Sequence, residues 1–114
     1  MNVELSKFRV KEGKEEKVTE WMDLLNEHMD DVLLTLKDEK MYIETIFREK
    51  EETGEYLYWY SVQGENGISV EESHHEIDKQ HIAYWIECID EEYHTSEITT
   101  EVVMIPKDLI KQMV

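Results

Sequence analysis

The stretch Glu55-Tyr-Leu-Tyr-Trp-Tyr-Ser-Val62 gathers aromatic and β-branched side chains as no other segment of the chain does. That is the composition of a buried strand. Its two alternating sets are both apolar or aromatic: Tyr56, Tyr58, Tyr60 and Val62 on one side, Leu57 and Trp59 (then Ser61) on the other. A strand with two such sides belongs inside a sheet that is covered on both faces. Immediately upstream, Lys40 to Glu49 reads as a second strand, with Met41, Ile43, Thr45 and Phe47 alternating against Tyr42, Glu44, Ile46 and Arg48. Glu51-Glu-Thr-Gly54 turns the chain, so the aromatic strand returns antiparallel to it.

Towards the N-terminus, Asn2 to Val10 carries Val3, Leu5, Phe8 and Val10. The change of phase between Leu5 and Phe8 predicts a bulge or twist near Ser6-Lys7. After a turn at Lys11-Glu-Gly-Lys14 the period becomes 3.6. Val18, Trp21, Met22, Leu25, Met29, Val32, Leu33 and Leu36 mark one helix from Glu15 to about Leu36, with Glu16, Glu20, Asp23, Glu27, Asp30 and Asp31 on its solvated side.

Beyond Val62, Gln63-Gly-Glu-Asn-Gly67 breaks the pattern. Ser69-Val-Glu-Glu72 and Ser73-His-His-Glu76 both match the capping box, so either can open the next helix. Its apolar side holds Ile77, His81, Tyr84, Trp85 and Cys88, with His74 one turn earlier, and it ends at Ile89-Asp90. Ile98 to Ile105 alternates as a final strand, stopped by Pro106, the only proline. Asp108 to Val114 forms one helical turn or a swapped tail. The order strand, helix, strand, strand, helix, strand predicts an α+β, ferredoxin-like βαββαβ fold: a four-stranded antiparallel sheet with two helices on one face, in one domain over residues 1–114.

Two helices cover one face of that sheet only. With Leu57 and Trp59 towards the helices, Tyr56, Tyr58 and Tyr60 point away, and the reading places Tyr42, Glu44, Ile46, Arg48, Glu101 and Val103 with them. Apolar patches of that size mark interfaces, and burying each ring contributes several kcal/mol at about 25 cal/mol per Å². A two-fold homodimer joined through the sheet is expected. Carboxylates caught there need partners such as Lys7, Arg9 or Arg48.

The totals set outer bounds. At 114 residues the chain has room for one core. Twelve basic residues against 28 acidic ones leave a formal charge of −16, which argues against nucleic acid and anionic membrane as partners. Cys88 is the only cysteine, so no intrachain disulfide forms. The N-terminus lacks the basic-then-apolar pattern of a signal peptide, no stretch is apolar enough to span a membrane, and the cytoplasm is the expected compartment.

The strand ending Phe8-Arg-Val-Lys-Glu-Gly13 with the helix opening Lys14-Glu-Glu-Lys-Val-Thr-Glu-Trp21 resembles the first unit of the dimeric α/β-barrel superfamily. Met41-Tyr-Ile-Glu-Thr-Ile-Phe-Arg-Glu49, Tyr56-Leu-Tyr-Trp-Tyr-Ser-Val-Gln-Gly64, Asp78-Lys-Gln-His81, Tyr84-Trp85, Glu87-Cys-Ile-Asp90 and Glu101-Val-Val-Met-Ile-Pro106 resemble a family of small bacterial proteins of unassigned function, nearly end to end. The superfamily resemblance implies dimerisation through the sheet and often a cavity between sheet and helices. It spans cofactor-free quinone-forming monooxygenases, haem-degrading enzymes and plain binding proteins, so it does not fix a function. The two enzyme types are similar in using a strand asparagine, a tryptophan and a helix histidine. Trp59 or Trp85 and His81 match two of these, but the first strand has Ser6 where the asparagine belongs.

The candidate ligand-binding residues are therefore Tyr58, Trp59, Tyr60, His74, His81, Trp85, Glu44 and Glu101. His74, Asp78 and His81 fall at i, i+4 and i+7 along one helix side, where two imidazoles and a carboxylate could bind zinc or iron. The spacing matches no recognised metal motif, and histidines hydrogen-bonded at the core edge account for it. Glu44 and Glu101 could form an acid/base pair, although pairing with Arg or Lys explains them more simply. No metal and no cofactor is expected. The leading reading is a homodimer that binds a small apolar or aromatic molecule near Tyr58, Trp59, His81 and Trp85. A small monooxygenase using His81 and a tryptophan, and a structural or regulatory interaction domain, are the alternatives.

Overall fold

A computed structural model describes residues 1–113; the last residue of the predicted tail, Val114, lies outside them. The aromatic stretch is the central strand of an antiparallel sheet. Strands β1 (Asn2–Arg9), β2 (Met41–Glu51) and β3 (Gly54–Gln63) lie in the order β1-β3-β2. Helices α1 (Glu15–Glu27), α2 (Met29–Glu39), α3 (Glu76–Cys88) and α4 (Lys107–Met113) complete an α+β fold, three strands and four helices among the described residues. Val10, Val18, Trp21, Leu57, Cys88 and Ile89 make the buried core between β3, α1 and α3.

Four expectations are corrected. The predicted 15–36 helix is two helices broken at His28, whose backbone (φ −109°, ψ 35°) leaves the helical region. Asn26 turns its side-chain amide back onto the Met22 carbonyl (3.0 Å), competing with the backbone ladder just where it stops. The bulge predicted near Ser6-Lys7 is absent, and β1 pairs with β3 without slippage from Asn2↔Gln63 to Arg9↔Tyr56. The phase change is real but means something else: Leu5 shares the outer face with Tyr60, and Phe8 shares the helix face with Leu57. The irregularity sits in β2, between Met41 and Ile43.

That bulge reverses the third expectation. Beyond it, Glu44 pairs with Ser61, Ile46 with Trp59 and Arg48 with Leu57, so these three β2 side chains face the helices. Ile43, Thr45 and Phe47 take the outer face with the tyrosines. Fourth, Ile98–Ile105 joins no ladder among the described residues: the sheet has three strands, and the fourth strand and the βαββαβ order are not shown. Downstream of α3 the chain skirts the β1 edge through Asp90 N–H to the Arg9 carbonyl (2.9 Å) and Thr100 Oγ1 to the Val3 carbonyl (2.6 Å). Val102 and Met104 are left largely in solvent.

The start of α3 resolves the doubled capping signal. Neither box caps it: the first forms only a 3₁₀ turn at Val70–Glu72, and the helix opens at Glu76, the last residue of the second, behind His75 and without a side-chain cap hydrogen bond. No described helix is long and apolar enough to cross a membrane.

Candidate functional site

Between the sheet and helices α1, α2 and α3 lies a partly open cavity of about 670 Å³. Three strands supply its floor through their helix-facing residues: Ser6 and Phe8 from β1, Trp59 and Ser61 from β3, Glu44 and Ile46 from β2. On α3, Asp78, His81 and Trp85 recur at i, i+3 and i+7, so one side of the helix delivers all three to the cavity. On α2 the apolar stripe, continued by one more turn, brings in Glu39.

One wall is aromatic. Trp59 meets Trp85 at 5.4 Å between ring centroids and His81 at 5.6 Å, and Phe8 meets Trp85 edge-on at 4.6 Å. Behind this wall Trp21, fully buried, donates its indole N–H to His81 Nδ1 at 3.0 Å. Nδ1 is thereby an acceptor, and the neutral ring carries its proton on Nε2. Burial holds the His81 pKa below its ordinary value, partly offset by the Asp78 carboxylate.

The other pole is acidic. Trp59 donates its indole N–H to Glu44 Oε1 at 2.7 Å. Burial nonetheless raises the Glu44 pKa, with repulsion from Asp78 adding to it against the pull of that hydrogen bond. Glu39 is buried, and desolvation together with Asp78, Glu44, Asp38 and Glu71 pushes it up to about 7. Asp78 is 6% exposed, and its Oδ2 has no hydrogen-bond partner among the described residues. No three described His, Cys, Asp or Glu side chains converge closely enough to hold a metal ion. The arrangement can hold an apolar body and orient a polar head. Cys88 lies in the core rather than in the cavity lining, and burial raises the pKa of its thiol.

Residues 1–111 match a family described as a family of unknown function, DUF6176. The chain belongs to that family. No curated protein and no solved structure matches it. For this DUF6176 chain the site must therefore be judged on its own geometry.

Of the sequence candidates, Trp59, His81, Trp85 and Glu44 meet at the cavity. Tyr58 and Tyr60 lie on the opposite sheet face, where Tyr58 donates to Glu49 Oε1 (2.7 Å) beneath the Lys7 ammonium. His74 is exposed and precedes α3, so the His74/Asp78/His81 alignment along one helix does not form. Its neighbour His75, read as solvated, bonds Asp38 Oδ2 at 3.0 Å. Glu101 lies in the exposed, unpaired segment and does not line the cavity that Glu44 enters. Sequence reasoning missed Glu39 and Trp21 as parts of the site. Glu39 hides within the charged run Lys37-Asp-Glu-Lys40, and Trp21 reads as ordinary core.

Proposed function

We propose that this DUF6176 protein is a small-molecule-binding protein that holds an apolar or aromatic ligand between its sheet and helices. The observation that carries the reading is the cavity of about 670 Å³ with Phe8, Trp59 and Trp85 on one side and a few buried polar groups on the other. Pockets of this size, mostly apolar with sparse polar groups, are the usual form of ligand sites. The test is calorimetric titration with 1-naphthol, followed in parallel by tryptophan fluorescence. Saturable binding is expected, lost when Ser61→Trp fills the floor. Absence of saturable binding by the native protein would sink the reading.

The oxygenase alternative rests on His81 beside Trp59. With Nδ1 already accepting from Trp21, the imidazole offers the cavity a donor rather than a base, which favours binding over proton abstraction. Titration with haem or a quinol that brought spectral change or oxygen uptake would reverse this preference.

The same proposal includes a homodimer of the dimeric α/β-barrel kind. Leu5, Ile43 and Phe47 stand 40%, 37% and 56% exposed on the outer sheet face, and Val102 and Met104 are 72% and 87% exposed in the segment beside β1. A second copy laid on that face would cover them. It would also give residues 98–105 a reason to pair as the fourth strand.

A further inference from the structure

The acidic pole of the cavity has no lysine or arginine beside it among the described lining residues. Glu4, Glu39, Glu44, Glu71 and Asp78 all line the cavity. A fold that buries a carboxylate ordinarily pairs it, as this one does elsewhere: Glu55, 8% exposed, receives Arg48 Nη2 at 2.8 Å and Lys50 at 3.5 Å. Asp78 is buried to the same degree, yet its Oδ2 is without a partner among the described residues. The aromatic wall stands across the same space, and an ammonium is attracted to the faces of such rings when desolvated. A metal ion fits less well, because the carboxylates do not converge on one point.

We propose that the cavity selects organic cations, ligands with an apolar or aromatic body and a protonated amine that pairs with Asp78 and Glu44 beside Trp59. This rests on the ligand-binding reading above and narrows it to one chemical class. The raised pKa values of Glu39 and Glu44, caused first by burial and then by neighbouring carboxylates, accord with it, since a bound ammonium would favour the charged form of both.

The experiment compares 2-phenylethylamine with its near-isostere 2-phenylethanol by calorimetry at about 0.15 M salt, where general attraction to the acidic chain is screened beyond about 8 Å. The amine is expected to bind at least about tenfold more tightly than the alcohol, as charge-assisted pairing exceeds a neutral hydrogen bond. Asp78→Asn and, separately, Glu44→Gln should shrink that ratio towards one. Glu12→Gln, which removes an equal charge from an exposed site outside the cavity, should retain it. Circular dichroism of each variant confirms folding, and either cavity variant alone suffices for the comparison. Equal binding of amine and alcohol would overturn the cation preference while leaving the cavity a binding site. Failure of both probes together with 1-naphthol would overturn the two proposals at once. Binding of Mn²⁺ or Zn²⁺ alone that displaces the amine and is lost in Asp78→Asn would replace the amine by a metal ion.

Discussion

Trp21 Nε1 lies 3.0 Å from His81 Nδ1, joining the centre of the core to the edge of the cavity through one hydrogen bond. The bond satisfies an indole N–H that is shut away from water and commits the imidazole to its neutral form. With the folded pKa of His81 depressed, chiefly by burial, the unfolded chain binds a proton where the folded one resists it. This contribution to stability is complete above about 6.5 and is lost as the pH falls towards the folded value. Trp21→Phe removes the donor and some core volume, and should cost about 2–4 kcal/mol. In that variant an NMR titration should find the His81 pKa moved upward, because the neutral ring has lost the bond that favoured it. An unmoved pKa would deny the bond its role.

Glu39 has the opposite sign. Its folded pKa of about 7 stands above the ordinary 4.5, so the folded state holds a proton that the unfolded chain has released. Its contribution is fully present below about 4.5 and is lost as the pH rises through about 7. Glu39→Gln should therefore stabilise the protein near pH 8, by on the order of 1 kcal/mol once screening by nearby water is allowed for, and have little effect near pH 5. Glu44, whose pKa is also raised by burial, is retained in the variant, so some pH dependence will persist. Urea melts of both proteins at the two pH values provide the check; equal differences at both would contradict it.

These two residues also show where sequence reading reached its limit. The double-sided apolar pattern of Tyr56 to Val62 identified the central strand, and Gly54 identified the hairpin before it. Periodicity then failed at His28, because a helical stripe reports which side is apolar and not whether the hydrogen-bond ladder is continuous. It failed again in β2, where both alternating sets are half apolar and a one-residue bulge at Tyr42 chooses between them. Glu44 moved from the outer face to the cavity for that reason alone. Ile98–Ile105 alternates like a strand, but pairing needs a partner edge and cover that alternation does not supply. Of the site, Trp59, His81, Trp85 and Glu44 were legible as residues. That Glu39 and Asp78 share their cavity depends on the long-range packing of α2 against α3.

Arg48 ties β2 to α1 as well as to Glu55. Its Nη1 donates to Thr19 Oγ1 and its Nη2 to the Glu15 carbonyl, each at 2.8 Å, while Nε and Nη2 hold Glu55 Oε2 at 3.0 and 2.8 Å. Arg48→Met should destabilise by roughly 2–4 kcal/mol, since it strands a buried carboxylate with only the well-exposed Lys50 nearby. Adding Glu55→Gln to that variant should recover part of the loss, because the stranded charge is gone. Denaturant melts of the two single variants and the double variant measure the coupling. A strictly additive result would mean that the pair contributes nothing as a pair.

Phe47 provides the sharpest test of the proposed dimer. It is 56% exposed on the outer sheet face, opposite Tyr58 on the neighbouring strand. In a lone subunit Phe47→Glu should change stability little, within about 0.5 kcal/mol, as for most surface substitutions. In a dimer joined through that face it would press two symmetry-related carboxylates into an apolar contact, where unpaired charge is strongly unfavourable. Sedimentation should accordingly give a two-chain mass for the native protein at micromolar concentration and a one-chain mass for the variant. Circular dichroism should show the fold of the variant intact. A one-chain mass for the native protein would leave Leu5, Ile43 and Phe47 facing water and remove the dimer from the account.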